Sequence, residues 1–110
     1  MEFKDYQEKA HGTSLNTSIC GNETLYPVLG IVGEAGEIAE KFKKLHRDCG
    51  GIANEAFKTD IIKELGDVLW CIAELCTKLE IDMDTVAATN IEKLYSRKER
   101  GQLHGSGDNR

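Results

Sequence analysis

Two long segments of helical periodicity meet at a pair of adjacent glycines, Gly50 and Gly51. Before the pair, apolar residues recur at intervals of three and four from about Thr24 onward, and after it the same periodicity continues to Leu79. Because glycine readily adopts the backbone angles at which helices end, the pair predicts a point where one long helix stops and a second one turns back. The chain is therefore expected to fold around a helical hairpin.

Two shorter helices are predicted outside this hairpin. An amphipathic stretch covers about residues 2–10, and Asp82 is typical of the residue that caps a helix, here one running to about Arg100. No segment alternates polar and apolar residues with the period of a strand. We therefore expect an all-α antiparallel bundle of about four helices, with one domain over residues 1–104 and a polar, glycine-rich tail over residues 105–110.

The composition describes a small chain with a thin core. It has 110 residues and a net charge of −5, and its longest apolar run, residues 68–73, is too short to cross a bilayer. The amino terminus has no apolar stretch that would serve as a secretory signal. We expect a cytoplasmic protein that does not enter a membrane. Because chains of this size often enlarge their buried surface by association, we also expect a homo-oligomer, a dimer or a tetramer.

The cysteines and histidines form no metal-binding motif. The four cysteines show no CxxC spacing, and the three histidines are scattered along the chain. We interpret the cysteines as reduced thiols that pack as small apolar residues. A net acidic chain without a dense basic face also argues against nucleic acid as a partner.

Two acidic pairs occupy corresponding positions in the two long helices. Glu34 and Glu37 are three residues apart, as are Glu64 and Asp67, so each pair lies on one helix face. The midpoints of the two pairs are equally distant from the glycine pair in sequence. If the helices fold back there, both pairs lie roughly 20 Å from the turn at 1.5 Å per residue, and four carboxylates converge.

Four converging carboxylates require a cation, because their mutual repulsion and partial desolvation are otherwise uncompensated. Magnesium suits such a site because it prefers carboxylate oxygens and completes its octahedron with water and substrate phosphates; Mn²⁺ is a possible substitute. An isolated acidic pair is usually solvated surface. Glycines that interrupt the helical pattern close to the acids favour the site, since they allow a helix or ligand to approach: Gly30, Gly33, Gly36 and Gly66.

The last helix carries a second cluster. Asn90, Lys93 and Arg97 share one face beside its apolar stripe. Lysine and arginine on such a face suit phosphate oxygens. The alternative is an ordinary solvated basic face, since cations are favoured in the last turns of a helix.

These residues resemble a known family. The segments GEAGEIAEK and KELGDVLW look like the paired ExxE and ExxD signature of the MazG-like all-α nucleotide pyrophosphohydrolases, and NIEKLYSR is similar to that family's third motif. The spacing of 26 residues between Glu37 and Glu64 also suits the family. The resemblance covers roughly residues 25–100, and the terminal GSGDNR is similar to the tail of small, often phage-associated, members.

The resemblance implies hydrolysis of a nucleoside triphosphate to the monophosphate and pyrophosphate, a house-cleaning reaction of the nucleotide pool. It implies magnesium held by the four acids Glu34, Glu37, Glu64 and Asp67, with phosphate contacts from Lys93 and Arg97 and positioning by Asn90. We take Glu37 as the catalytic base. The family's usual assembly is a dimer or a dimer of dimers. Base selectivity is expected from the amino-terminal helix and the loop after it, with Tyr6 or Gln7 as candidates, from Trp70, or from a neighbouring subunit.

Other interpretations stay open from the sequence. A related all-α dUTP or dCTP hydrolase, or a phosphoribosyl-ATP pyrophosphohydrolase, would share the metal chemistry and differ in base recognition. A non-enzymatic helical dimerisation module would not need all four acids, which are present here. A di-iron bundle needs two Glu-x-x-His motifs, and this chain has one, Glu8 to His11. A P-loop mechanism is excluded because the GxxxxGK[ST] motif is absent.

Overall fold

A computed structural model describes all 110 residues and confirms an all-α fold. Its four helices are α1 (Phe3–His11), α2 (Leu25–Cys49), α3 (Glu55–Lys78) and α4 (Met83–Glu99). The only strand-like pairing is an isolated bridge between Ile19 and Asn22 in the loop that joins α1 to α2. No helix has the length and apolar character needed to span a membrane.

The glycine pair ends α2 as the sequence predicts. Gly50 and Gly51 both have positive φ angles, 65° and 78°, which place them in the left-handed region that favours glycine. The amide of Gly51 donates to the carbonyl oxygen of Leu45 at 3.1 Å, which satisfies one carbonyl at the helix end. Asn54 then caps α3, with its side-chain oxygen accepting from the amide of Phe57 at 2.9 Å. These local interactions reverse the chain and form the α2–α3 hairpin.

Asp82 occupies the N-cap position of α4, as predicted, but its side chain makes no capping hydrogen bond. Gln7 of α1 takes over this role, because its Oε1 accepts from the amide of Met83 at 2.8 Å. The Nε2 of Gln7 donates to the carbonyl oxygen of Ile81 at 2.9 Å and to Thr77 Oγ1 at 3.2 Å. Gln7 therefore joins α1 to the α3–α4 turn.

A buried acid joins α1 to α3. Glu74 is 1% exposed, and both of its carboxylate oxygens lie 3.2 Å from Nδ1 of His11. The ammonium of Lys78 lies 3.7 Å from the same carboxylate and also pairs with Glu23 at 3.0 Å. A buried carboxylate costs free energy unless it is paired and hydrogen bonded, so these partners explain how Glu74 is accommodated.

The core of the single chain is small. Only nine of 110 residues are buried, and the central apolar cluster consists of Ala10, Ala73 and Met83. Partly buried side chains surround this cluster: Tyr6, Leu69, Trp70 and Ile72. The cluster lies where α1, α3 and the first turn of α4 meet, so it anchors α1 beside the carboxyl-terminal half of α3.

The interhelical glycines differ in their surroundings. A Cβ added at Gly30 would lie 2.6 Å from Sγ of the buried Cys71, so α2 approaches α3 closely at this point. A Cβ at Gly33, Gly36 or Gly66 would meet nothing within 4 Å. The close approach expected at these glycines therefore exists within the chain only at Gly30.

We expect Gly30→Ala and Gly33→Ala to affect stability in opposite directions. The new methyl group at Gly30 must displace Cys71, and overpacking of this kind costs about 1–3 kcal/mol. At Gly33 the methyl group has free space, and alanine in a helix is favoured over glycine by about 0.5–1 kcal/mol. Urea unfolding of both variants measures the difference, and equal free energies of unfolding would contradict the close approach at Gly30.

Candidate metal centre

The α2–α3 hairpin brings three carboxylates together. Glu34 comes from α2, and Glu64 and Asp67 come from α3. One carboxylate oxygen from each residue can be chosen so that all three lie within 4.8 Å of one another. Glu34 and Glu64 are partly buried and Asp67 is exposed, so the cluster lies at the surface of the hairpin and can be reached from solvent. The acids of the two helices lie at the same height along the hairpin because the two acidic pairs are equally distant from the turn in sequence.

Glu37 lies outside this group of three. Its side chain is exposed, and its carboxylate does not come within the same 4.8 Å. Its charge is nevertheless close enough to contribute to the raised pKa of Glu34. Glu37 is thus at the edge of the cluster, available to a ligand that extends beyond the three acids.

The cluster has excess negative charge. Partial desolvation raises the pKa of Glu34, and the charges of Asp67, Glu64 and Glu37 raise it further. The only ion pair to the three carboxylates is a 3.6 Å contact from Lys41 Nζ to Glu64. One lysine does not neutralise three acids, so the donor set suits a hard divalent cation such as Mg²⁺ or Mn²⁺.

A cavity of about 330 Å³ opens beside the acids, within the size range of small-molecule sites. Glu34 and Asp67 form its polar end. The rest of its lining is mostly apolar: Ile19, Tyr26, Leu29, Gly30, Trp70 and Cys71. A second cavity of about 350 Å³ shares Tyr26, Asp67 and Trp70 and is completed by the loop after α1, through Thr13, Ser14, Leu15 and Thr17. Acidic groups therefore adjoin two spaces that share aromatic walls.

Some of these lining residues were not anticipated from the sequence. The sequence offers Trp70 as a candidate for base recognition, and Trp70 lines both cavities. Gln7 is a candidate as well, but it lies in neither cavity, and its amide is used in contacts to α3 and α4. The sequence does not single out Ile19 or Tyr26. The one available signal was that an apolar residue and an aromatic residue stand in or beside an otherwise polar loop.

The predicted phosphate-binding face of α4 lies elsewhere in the single chain. Asn90 is exposed, and no hydrogen bond or ion pair joins Asn90, Lys93 or Arg97 to the three carboxylates. Lys93 Nζ instead donates to Asp108 Oδ1 at 3.4 Å, and Nη2 of Arg97 donates to the carbonyl oxygen of Asp108 at 2.7 Å. The structure therefore brings the basic face together with the carboxyl-terminal tail.

The tail folds back onto α4 as an ordered loop. The guanidinium of Arg97 is buried, and its Nη2 donates to the carbonyl oxygens of Gly107 and Asp108. Arg110 donates to the same carbonyl of Gly107 and to two further carbonyl oxygens, those of Gln102 and Leu103. The hydrogen bond from Lys93, with the charges of Lys93 and Arg97, lowers the pKa of Asp108. The carboxylate of Asp108 thus lies beside the two cations of α4, Lys93 and Arg97, where a phosphate is predicted to bind.

The chain is similar to known proteins in sequence. Residues 21–101 match the family model of the MazG nucleotide pyrophosphohydrolase domain. The chain is 49% identical over 85 residues to the Gene 37 protein of Mycobacterium phage L5, and the alignment covers 77% of this chain and 75% of that protein. No solved structure matches the chain significantly.

Neutralising Glu34 tests the excess charge of the cluster. A raised carboxyl pKa means that the folded chain binds this proton more tightly than the unfolded chain does. Its contribution to stability is therefore present at acidic pH and is lost as pH rises through the raised pKa. In a chelator at neutral pH, we expect Glu34→Gln to raise the Tm by up to about 3 °C, and the difference from the unsubstituted chain to shrink at acidic pH.

Glu40→Gln is the matched control on the same helix. The hydrogen bond from Lys43 lowers the pKa of Glu40, so loss of its charge should not raise the Tm. Added Mg²⁺ should stabilise the unsubstituted chain and Glu40→Gln more than Glu34→Gln, because a ligand that binds the folded state raises its stability. A lower Tm for Glu34→Gln in chelator would show that repulsion at the cluster is not significant.

Proposed function

The chain belongs to the MazG nucleotide pyrophosphohydrolase family, and on that premise we propose that it hydrolyses nucleoside triphosphates to the monophosphate and pyrophosphate in a Mg²⁺-dependent reaction. The proposed role is to remove unwanted triphosphates from the cytoplasmic nucleotide pool. One observation carries the proposal beyond the family. The three acids of Glu34, Glu64 and Asp67 adjoin a cavity with apolar and aromatic walls. A nucleotide would fit both parts of this site, since its phosphates bind a cation and its aromatic base suits apolar and aromatic walls.

The acids divide into two proposed roles. Glu34, Glu64 and Asp67 would hold the cation, since their oxygens already lie close together. When bound, Mg²⁺ would neutralise the negative charge that develops on the phosphate oxygens. Glu37, exposed at the edge of the cluster, is proposed either to complete the cation site or to act as the general base.

The proposed reaction breaks the anhydride bond between the α and β phosphates. A water molecule adds to one of the two phosphorus atoms that flank the bridging oxygen, and Glu37 accepts a proton from that water. The bridging oxygen leaves with the other phosphate group, so that a monophosphate and pyrophosphate result. Nothing in this step needs a covalent intermediate on the chain.

Asn90, Lys93 and Arg97 are proposed to bind the phosphates, Lys93 and Arg97 through charge and Asn90 by positioning. Within one chain Lys93 and Arg97 contact the tail, and Lys93 pairs with the carboxylate of Asp108. Because Asp108 is 88% exposed, a phosphate can displace it from Lys93 at little cost. In an oligomer, the α4 face of one copy is also free to approach the acids of another.

Self-association is proposed because a single chain leaves large apolar side chains uncovered. They include Val28, Leu29 and Val32 on α2, Ile62 and Leu65 on α3, and Ile91, Leu94 and Tyr95 on α4. A mostly apolar depression of about 490 Å³ on α3 continues this surface through Val68, Leu69 and Ile72. Exposed apolar surface of this extent is typical of an interface between chains.

Sedimentation velocity measures the association directly. We expect a dimer or a tetramer, because burial of these apolar side chains is favourable by about 25 cal/mol per Å². Ile62→Asp, which places a charge at the depression, should shift the distribution towards monomer, whereas Lys63→Asp, at an exposed position outside the depression on the same helix, should not. A monomer at micromolar concentration would contradict the proposed oligomer.

The reaction is tested with a panel of canonical and modified nucleoside triphosphates in Mg²⁺, in which pyrophosphate and orthophosphate are measured separately. We expect pyrophosphate and monophosphate, and no activity in chelator. Asp67→Asn should lower turnover at least about 100-fold, because it removes a charge that holds the cation and therefore several kcal/mol of transition-state stabilisation. Glu37→Gln should also abolish turnover.

Asp60→Asn is the control for charge, since Asp60 is an exposed acid on the same helix and pairs with Lys63. It should retain full turnover. Lys93→Ala is expected to raise the KM for triphosphates in the same assay. Orthophosphate as the product, or equal activity of Asp67→Asn and Asp60→Asn, would contradict the proposed reaction and cation site.

A further inference from the structure

We propose that Trp70 is a platform on which the base of the nucleotide stacks, and that stacking makes the site tolerant of base identity. This inference rests on the proposed function, since it concerns the substrate of the same site. It is carried by the hydrogen bonds that hold Trp70 and by the composition of the two cavities that Trp70 lines.

The indole ring of Trp70 is fixed by its own polar atom. Nε1 donates to Thr13 Oγ1 at 2.8 Å and to the carbonyl oxygen of Ala10 at 3.2 Å. Thr13 in turn donates through its hydroxyl to the same carbonyl of Ala10 at 2.7 Å, so its orientation is also set. Because the N–H group is satisfied within the chain, Trp70 can offer a ligand its aromatic surface but no hydrogen bond.

The ring is placed correctly for a base whose phosphates reach the acids. Trp70 follows Asp67 by one turn of α3, a rise of about 4.5 Å along the helix. Both residues line both cavities, and Tyr26 is shared by the two cavities as a second aromatic wall. An aromatic surface is therefore one turn from the proposed cation site.

The walls offer little that could read the edge of a base. The cavity beside the acids has no amide, guanidinium or ammonium side chain, and its polar groups are the two carboxylates and the hydroxyl of Tyr26. In the second cavity, Thr13 is used by Trp70, and Ser14 Oγ accepts from the amide of Asn16. Apart from the Asp67 carboxylate, the hydroxyls of Thr17 and Tyr26 are the only side-chain polar groups there without a hydrogen bond in the chain. Strong discrimination between bases requires side chains that hydrogen-bond their edges. Stacking is available to every base, because every base has a π face.

Trp70 is the only tryptophan, so its fluorescence reports directly on this contact. The probes are α,β-methylene nucleoside triphosphates with adenine, guanine, cytosine or uracil in Mg²⁺, and inorganic tripolyphosphate with no base. We expect all four nucleotides to quench the emission and tripolyphosphate to leave it unchanged. Affinities for the four bases should lie within about tenfold of one another.

Three variants separate stacking from folding, with affinities measured by calorimetry. Trp70→Ala should weaken binding of every nucleotide by about tenfold or more, with tripolyphosphate affinity unchanged. Trp70→Phe keeps an apolar ring in the core and should show a smaller loss. Thr13→Val removes the acceptor that orients the indole and should weaken nucleotide binding several-fold. Thr59→Val, at an exposed site on α3, is the control and should bind normally.

Each opposite result would overturn the inference. Equal losses for nucleotides and tripolyphosphate in Trp70→Phe and Thr13→Val would show that Trp70 only supports the fold. Quenching by one base alone would contradict base tolerance, and no quenching by any nucleotide would contradict the platform. Nucleotide binding with quenching but without pyrophosphate release would instead refute the proposed reaction and leave the platform intact. Pyrophosphate release without quenching would support the proposed reaction and refute the platform.

Discussion

Repulsion among the carboxylates of Glu34, Glu64 and Asp67 is the constraint around which this structure is arranged. Their oxygens lie within 4.8 Å of one another, and one ion pair, from Lys41, partly offsets their charge. The hairpin holds them there because its turn and the contact between Gly30 and Cys71 set the height and distance of α2 relative to α3. Because the fold holds these like charges close together, binding of a cation relieves their repulsion and is favoured.

The rest of the molecule completes this site rather than a large core. Helix α1 is held against α3 and α4 by its apolar cluster and by polar contacts through Gln7 and His11. Ala10 in its last turn and Thr13 in the following loop supply the acceptors for Trp70. The same contacts that hold α1 therefore orient an aromatic wall next to the acids. Helix α4 and the tail form a second cluster of charged groups, in which Arg97 donates to two carbonyl oxygens of the tail.

Much of the fold follows from the sequence because helices are local structures. The apolar stripes, the glycine pair and Asp82 each describe interactions within a few residues, and all four helices occur close to the predicted positions. Contacts between distant residues were not predictable in the same way. Trp70 and Thr13 are 57 residues apart in the sequence. Gln7, which caps α4 where Asp82 was expected to do so, is 76 residues from its partner Met83. Neither contact leaves a periodic signal in the sequence.

The sequence by itself determined the helical class and the common height of the two acidic pairs, because spacing along a helix converts directly into height and face. Its motifs also identified the family, through their resemblance to known members. Only the tertiary structure decided which carboxylates meet. Residues three apart on a helix differ in direction by about 60°, so the rotation of α2 against α3 can bring Glu34 into the group and leave Glu37 at its edge. That rotation depends on interhelical packing, as at Gly30. The docking of the tail on Lys93 and Arg97 was decided in the same way, by contacts that form only after α4 and the tail are both in place.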